Sequence, residues 1–377
     1  MHTGFPISLF LLGGLVAASA NPLCAAETHG AFIKGADVSM LGQIEDRGGV
    51  FKENGVPKDA LAIFKNHDLN YLRLRIWHSP KDTCNDLQAT VLMARRIKAG
   101  GFGFLLDIHY SDTWADPGNQ IKPAAWDSLS YQAVRDSVYQ YTHDMMSVLK
   151  SQDALPDIVQ IGNEITCGML WNDGRVCGEY NTPRQWTQLA ELIREAIRGI
   201  RESLDSGDTV KIMIHIDRGG DNIGSRWFFD TLLAHKVDFD IIGLSYYPWW
   251  HGSMKTLKVN VNDLARRYGK EIIIAETAYP WTLDWHDDTR NIVGDSSQLH
   301  VGYPSSVEGQ KAFLTDLIDI MRHIPGSRGR GLFYWEPDYV CAPRLGSPWE
   351  NMTLFDFTGE LLNSIDAFDS TGSASER

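Results

Sequence analysis

Two glutamates in this chain each close an apolar run. One run is Asp157-Ile158-Val159-Gln160-Ile161-Gly162-Asn163-Glu164, the other Lys270-Glu271-Ile272-Ile273-Ile274-Ala275-Glu276-Thr277. Either glutamate alone reads as an ordinary strand-end residue. Together, on the C-terminal tips of two buried parallel strands, they supply what glycosidic cleavage needs. One carboxyl must be protonated to donate to the leaving oxygen, and the other ionised to attack the sugar carbon. Asn163 beside Glu164 can bind a sugar 2-hydroxyl, which assigns Glu164 as acid/base and leaves Glu276 as nucleophile. Retention of configuration requires carboxyls about 5–5.5 Å apart, inversion about 6.5–9.5 Å. Arg75 is the expected partner keeping Glu276 ionised; an ordinary ion pair at the barrel top reads it equally well.

Other chemistry-bearing residues gather at strand tips. These are Asp37, His109, His215 and Tyr246, with Trp114, Trp249, Trp250, Trp281, Trp335 and Trp349 as stacking platforms for sugar rings. About half of these tryptophans are expected to touch sugar and the rest to pack loops. Tyr246 could hydrogen-bond the nucleophile or fill the barrel top. Trp335 could floor the reacting sugar or belong to the core, and a strand histidine such as His109 is more often a core residue. Glu336, before a proline, reads as a structural ion-pair residue. The segment from Asp284 to Tyr303 carries Asp284, His286, Asp287, Asp288, Asn291 and Asp295, oxygen-rich enough to hold calcium but equally a solvated acidic loop.

The elements that must position these residues alternate. Strands are expected at 32–38, 71–77, 104–110, 158–164, 211–216, 240–246, 270–276 and 331–336. Helical spacing occupies Leu87 to Ala99, Tyr131 to Lys150, Pro183 to Leu204, Ser225 to Ala234, Met254 to Tyr268 and Val307 to His323. Continuous apolar strands imply a parallel sheet buried on both faces. Eight such units imply an α/β chain folded as a single (β/α)8 TIM barrel with enlarged C-terminal-face loops. A doubly wound open sheet would need a Gly-rich phosphate turn after the first strand, and Gly35-Ala36-Asp37 is not one. The first crossover and the stretch after Pro348 carry the weakest pattern.

Residues 1–26 read as a secretory signal, with an apolar run from Leu9 to Ala17 too short to span a bilayer. Ala20 and Ala26 both end A-x-A-like cleavage sites. A lipid anchor at Cys24 is disfavoured by the preceding Asn21-Pro22-Leu23. The catalytic domain is expected over 27–368 and a disordered tail over 369–377. Export to the periplasm, cell surface or exterior permits disulfides, and Cys167 with Cys177 is the favoured bridge; Cys84 and Cys341 leave other pairings open. A formal charge of −13 argues against nucleic acid or an anionic membrane surface as partner. No other segment could cross a membrane, and a monomer is expected.

Eight stretches, in order, then resemble one family: GADVSML (35–41), YLRLRIW (71–77), LLDIHYSDTWADPGNQIKPAAW (105–126), VQIGNEI (159–165), IMIHIDRGGDN (212–222), IIGLSYYPWW (241–250), IIIAETAYPW (272–281) and WENMTLFDFTGELL (349–362). The chain is similar to the endo-β-1,4-galactanases, family 53 of the glycoside hydrolases. The string DIHYSDTWADP is specific to that family, whereas NE and ET are shared by a wider clan. The resemblance implies a retaining endo-hydrolase of β-1,4-galactan in type I arabinogalactan, with Glu164 as acid/base, Glu276 as nucleophile and no required cofactor. It also implies calcium in the loop after strand seven of some bacterial members, but the Asp/His/Asn spacing here departs from that site. The competing readings are another retaining endo-glycanase of the clan, a mannanase or cellulase, and a non-catalytic glycan-binding barrel.

Overall fold

The computed structural model describes Met1, residues 30–82 and residues 84–369. The expected signal segment, and the tail beyond Asp369, lie outside the described residues. The chain divides between Ala31 and Phe32, and the barrel belongs wholly to the second part.

Eight parallel strands close on one another: β1 (Ile33–Asp37), β2 (Tyr71–Ile76), β3 (Gly103–Ile108), β4 (Ile158–Ile161), β5 (Lys211–Ile216), β6 (Ile241–Ser245), β7 (Glu271–Thr277) and β8 (Gly329–Trp335). Each pairs with its neighbours in the chain, and β8 returns to β1. This is the (β/α)8 barrel that the strand pattern implies. The crossover helices are α1 (Ala60–Asn66), α2 (Leu87–Ala99), α3 (Tyr131–Ser151), α4 (Pro183–Ser203), α5 (Asn222–Ala234), α6 (Met254–Tyr268) and α7 (Val307–Arg322). Every one opens on a residue whose side chain caps a backbone N–H: Asp59, Asp86, Ser130, Thr182, Asp221, Ser253 and Ser306. Such caps stabilise a helix start by about 1 kcal/mol each.

The two stretches of weak pattern depart from the regular unit. The first crossover inserts a hairpin, Phe51–Glu53 against Val56–Lys58, ahead of the short α1. After β8 the chain makes a long loop, and a 3-10 segment, Asn363–Phe368, stands where an eighth helix would be.

The barrel interior has two storeys. The lower is an apolar plug of Ile33, Tyr71, Leu105, Ile158, Met213, Ile241, Ile273, Ala275 and Phe333. Gly35 and Gly103 make room for its two rings, since a Cβ at either would lie 2.3 Å from Phe333 or Tyr71. The upper storey, two or four residues further along the same inward-facing parity except at Glu276, where β7 shifts register, is polar: Asp37, Arg73, Arg75, Asp107, Gln160, His215, Ser245 and Glu276, all buried. The site is built on this storey.

Candidate active site

Glu276 is the next-to-last residue of β7 and is 6% exposed. Its Oε1 accepts from Arg73 Nη2 at 2.9 Å and its Oε2 from the Tyr247 hydroxyl at 3.1 Å. Arg73 itself spans the barrel, donating to Asp37, to Asp107 at 2.8 Å and to Asn163 Oδ1 at 3.0 Å. Glu164, just past β4, is partly exposed. Its Oε1 accepts from the Ser245 hydroxyl at 2.5 Å. Its backbone is left-handed, with φ 48° and ψ 48°, a conformation that costs a non-glycine residue on the order of 1 kcal/mol or more. The surrounding loop holds it there. Gln120 Nε2 donates to the Asn163 carbonyl at 2.7 Å, and the Cys167–Cys177 disulfide closes the following turn. Cys84 and Cys341 are free thiols.

The two carboxyls sense one another. Burial raises Glu164 well above the ordinary glutamate range, and the charges of Glu276 and Asp217 raise it further. Burial raises Glu276 to about 7, while Arg73 and the Tyr247 hydroxyl pull the other way. The pair therefore titrates as a unit. The guanidinium and the phenol sit on Glu276, so the shared proton belongs on Glu164. That is the division of labour that donor and nucleophile require.

Two assignments change. The guanidinium on Glu276 is Arg73, not Arg75; Arg75 Nη1 donates to Glu336 Oε1 at 2.5 Å. Both arginines face inward; Arg73 meets Glu276, and Arg75, two residues further along β2, meets Glu336 instead. Likewise the phenol on Glu276 is Tyr247. Tyr246 has outward parity, packs its ring 6.2 Å from Phe313 of α7 and donates to the Gly252 carbonyl.

Asp37, His109 and His215 are buried beneath the site with their polar atoms on protein partners. Asp37 accepts from Arg73 and Ser39. His109 Nδ1 takes N–H groups from Trp77 and Ala115, and its Nε2 lies 3.0 Å from Asp107. In the structure these three hold other protein groups. Asn163, 6% exposed, donates to the Ala115 carbonyl while its Oδ1 faces Arg73.

The tryptophans form an arc along one rim. Trp77 meets Trp114 (ring centroids 5.5 Å), Trp114 meets Trp335 (6.0 Å), and Trp335 meets Trp349 (4.5 Å). Trp349 in turn meets Tyr247 and Trp249, which both meet Trp250. Trp114 and Trp250 are 38% and 60% exposed, so the arc offers open platforms at these two positions, while Trp77 and Trp349 are buried. Trp281 packs on Phe357 of the C-terminal loop instead. Trp285, on the loop after β7, is a further half-exposed tryptophan, one that lies beyond the strand tips.

The acidic residues of that loop do not converge. Asp287 accepts from the Thr289 and Ser347 N–H groups, and Asp295 caps a 3-10 turn. A separate cavity of about 870 Å³ lies between the β1 and β2 loops, bordered by Ser39, Arg75 and Cys84; neither Glu164 nor Glu276 lines it.

The model of glycosyl hydrolase family 53 matches residues 33–368. The arabinogalactan endo-β-1,4-galactanase of Thermothelomyces thermophilus is 35% identical over 352 residues, covering 89% of this chain and 98% of that one. The family 53 catalytic domain of Ignisphaera aggregans superposes with a TM-score of 0.83 at 39% identity, over 89% of this chain and 95% of its own. A solved fungal β-1,4-galactanase gives 0.77 at 34%, over 89% and 98%. With that match across the barrel, and two coupled glutamates at the tips of β4 and β7, the chain belongs to glycosyl hydrolase family 53 and is a glycoside hydrolase.

Proposed function

We propose that this chain is an exported, monomeric endo-β-1,4-galactanase that cleaves the galactan of type I arabinogalactan with retention of configuration. The observation that carries the chemistry is the asymmetric setting of the two carboxyls. Glu276 is held by Arg73 and Tyr247, while Glu164 faces it with a raised proton affinity. The substrate assignment draws on the relatives' activity, and the exposed tryptophans at the ends of the arc suit a neutral polysaccharide.

In the first half-reaction Glu276 attacks the anomeric carbon while Glu164 gives its proton to the departing glycosidic oxygen. The C–O bond to the leaving sugar breaks as the Glu276–sugar ester forms. Water then enters, Glu164 takes its proton, and the resulting hydroxide equivalent displaces Glu276. The chemistry calls on no cofactor.

The test is a time course on linear β-1,4-galactan, with mannan and cellulose alongside. A spread of oligomers at early times, with the first anomer matching the substrate's configuration by NMR, is expected. Cleavage of mannan or cellulose with galactan untouched would replace the substrate assignment, and binding without turnover would replace the enzymatic one. Amino-terminal sequencing of protein recovered outside the cytoplasm tests export and locates the cleavage at Ala20 or Ala26. Light scattering tests the monomer.

A further inference from the structure

Ser245 drew no attention in the sequence, yet its hydroxyl is the hydrogen-bonding group that meets Glu164 from inside the barrel. It ends β6 and is fully buried. Its Oγ lies 2.5 Å from Glu164 Oε1 and 2.9 Å from His215 Nε2. Among the described residues no other group bonds the Glu164 carboxyl, so Oε2 is left to face the open top of the barrel.

One hydroxyl carries one proton, which fixes the order of donors. If Ser245 donates to Glu164, it must accept from His215, so Nε2 bears the imidazole hydrogen and Nδ1 is bare. The Glu164 backbone N–H is aimed at Nδ1 at 3.4 Å, and Gln160 Nε2 lies 3.0 Å from it, although its two hydrogens are also within reach of Asp107 Oδ1 at 2.6 Å and Asn163 Oδ1 at 3.1 Å. The opposite order would put the imidazole hydrogen on Nδ1, toward Asn163 Oδ1 at 3.0 Å. Ser245 would then donate to His215, and Glu164 would have to spend its own proton on Ser245. Asn163 Oδ1 already accepts from Arg73 and Gln160, so the first order leaves fewer atoms competing.

We propose that Ser245, oriented by His215, is a positioning residue for acid/base catalysis: it occupies Glu164 Oε1 as a donor, so that the transferable proton rides on Oε2, where the glycosidic oxygen arrives. The inference rests on the glycosidase reading of Glu164. The imidazole suits the part, because burial and the nearby Arg73 charge hold His215 neutral, well below the ordinary histidine range. The same donor serves the second half-reaction, when Glu164 is ionised and must collect a proton from water. The groups facing Glu164 are Glu276 on β7, Asp217 beyond β5, Asp116 on the loop after β3 and Ser245 on β6. Those facing His215 are Arg73 on β2, Asp107 and His109 of the β3 tip, and His251 beyond β6. Of the groups facing Glu164, the hydroxyl of Ser245 favours its ionised form.

The experiment is the pH profile of kcat/KM for full-length protein on linear β-1,4-galactan, wild type against Ser245→Ala. Without the donor, Glu164 holds its proton more tightly. The basic limb is expected to move to higher pH, and turnover at the optimum to fall about tenfold, a fraction of the 10²–10⁴ that general acid catalysis contributes. Ser245→Thr, which keeps a hydroxyl, should bring the limb back toward wild type. A slower enzyme whose limb has not moved would reduce Ser245 to packing and overturn the proposal. A limb displaced to lower pH would mean that Glu164 donates to Ser245, and would overturn it equally. If Ser245→Ala does not fold, Ser245→Cys, similar in volume and a weaker donor, is read the same way. The wild-type run alone decides the galactan assignment; the relay is judged by the limb, on whichever β-glycan the wild type cleaves.

Discussion

The top of this barrel holds two glutamate–arginine pairs side by side, and they resemble each other in nearly every local property. Glu276 lies at the tip of β7 and pairs with Arg73; Glu336 follows β8 and pairs with Arg75. Both arginines come from β2, two residues apart, and all four side chains are buried. Burial raises both carboxyls, to about 7 for Glu276 and about 8 for Glu336. Strained backbone does not separate the catalytic residues either, since Glu336 shares with Glu164 a φ of 48°. What differs is access and company. Glu276 keeps a small opening and faces a second carboxyl that can hold a proton for a leaving group. Glu336 is closed off, with the Met40 N–H on its Oε2, and Trp114 lies 4.1 Å from the Arg75 guanidinium. Its acidic neighbour, Asp338, is itself fully buried. A perturbed carboxyl paired with arginine is thus no sufficient mark of catalysis; an open face and a second acid across it are what separate the two.

The comparison breaks most visibly at the carboxyls themselves. Glu276→Ala should abolish galactan cleavage, by more than the roughly 10²–10⁴-fold expected for Glu164→Ala, because one removes the nucleophile and the other a proton donor. Added azide should restore turnover in both variants with opposite stereochemistry. Glu276→Ala should yield an α-galactosyl azide by direct displacement, and Glu164→Ala the β-azide from the covalent intermediate. Product NMR reads the difference; matching anomers from the two variants would exchange or cancel the assigned roles.

Glu336→Ala tests the other pair and should act on folding. Above about pH 8, where Glu336 is ionised, removing it leaves the Arg75 charge buried and uncompensated, at a cost of about 3–5 kcal/mol. Urea unfolding measures it. Turnover per folded molecule should stay within a few-fold of wild type. A stable Glu336→Ala protein without activity would place Glu336 in the reaction after all.

The arginines sharpen the contrast at smaller amplitude. Lysine in place of Arg73 cannot span Asp37, Asp107, Asn163 and Glu276 at once, so Arg73→Lys should lose both stability and turnover. Arg75→Lys should lose stability with little change in turnover. A chemical-denaturation curve and a galactan assay on each variant separate the cases.

How far the sequence foretold these pairs depends on which spatial coordinate a residue needed. Strand identity and facing were legible, because the apolar runs are continuous and parity alternates. That placed Glu164 and Glu276 at tips, and it set α6 as Met254–Tyr268, where a serine cap and a following glycine mark both ends. Depth was not legible. Arg73 and Arg75 share parity, and only the stagger of the barrel together with side-chain length decides which head group meets which acid. Tyr247 and Ser245 could have been found by counting in twos from Gly243, but the register of β6 shifts against β7 between Leu244 and Ser245. His109 and His215 carried polar side chains on the correct face, but nothing in their spacing foretold the protein partners, Asp107 for one and Ser245 for the other.

The smallest expected effect concerns the proton shared near Glu336. The two oxygens of Asp338 have no hydrogen-bond partner among the described residues, and burial raises its carboxyl well above the ordinary range, with Glu336 adding to the rise. In the native state these carboxyls hold protons that the unfolded chain has already released. Stability should therefore fall as pH climbs from the ordinary carboxylate values, 3.8 for aspartate and 4.5 for glutamate, toward about 8, where Glu336 gives up its own proton. Asparagine mimics a neutral aspartic acid in shape. Asp338→Asn should be nearly silent at pH 3, where the unfolded aspartate is still protonated, and relatively stabilising at pH 8, flattening the decline in unfolding free energy measured by urea titration at each pH. A slope unchanged by Asp338→Asn would mean that native Asp338 holds no proton in that window, leaving Glu336 alone to set it. The same substitution should leave the activity limbs where they are, because the proton it removes belongs to the closed pair and not to the open one.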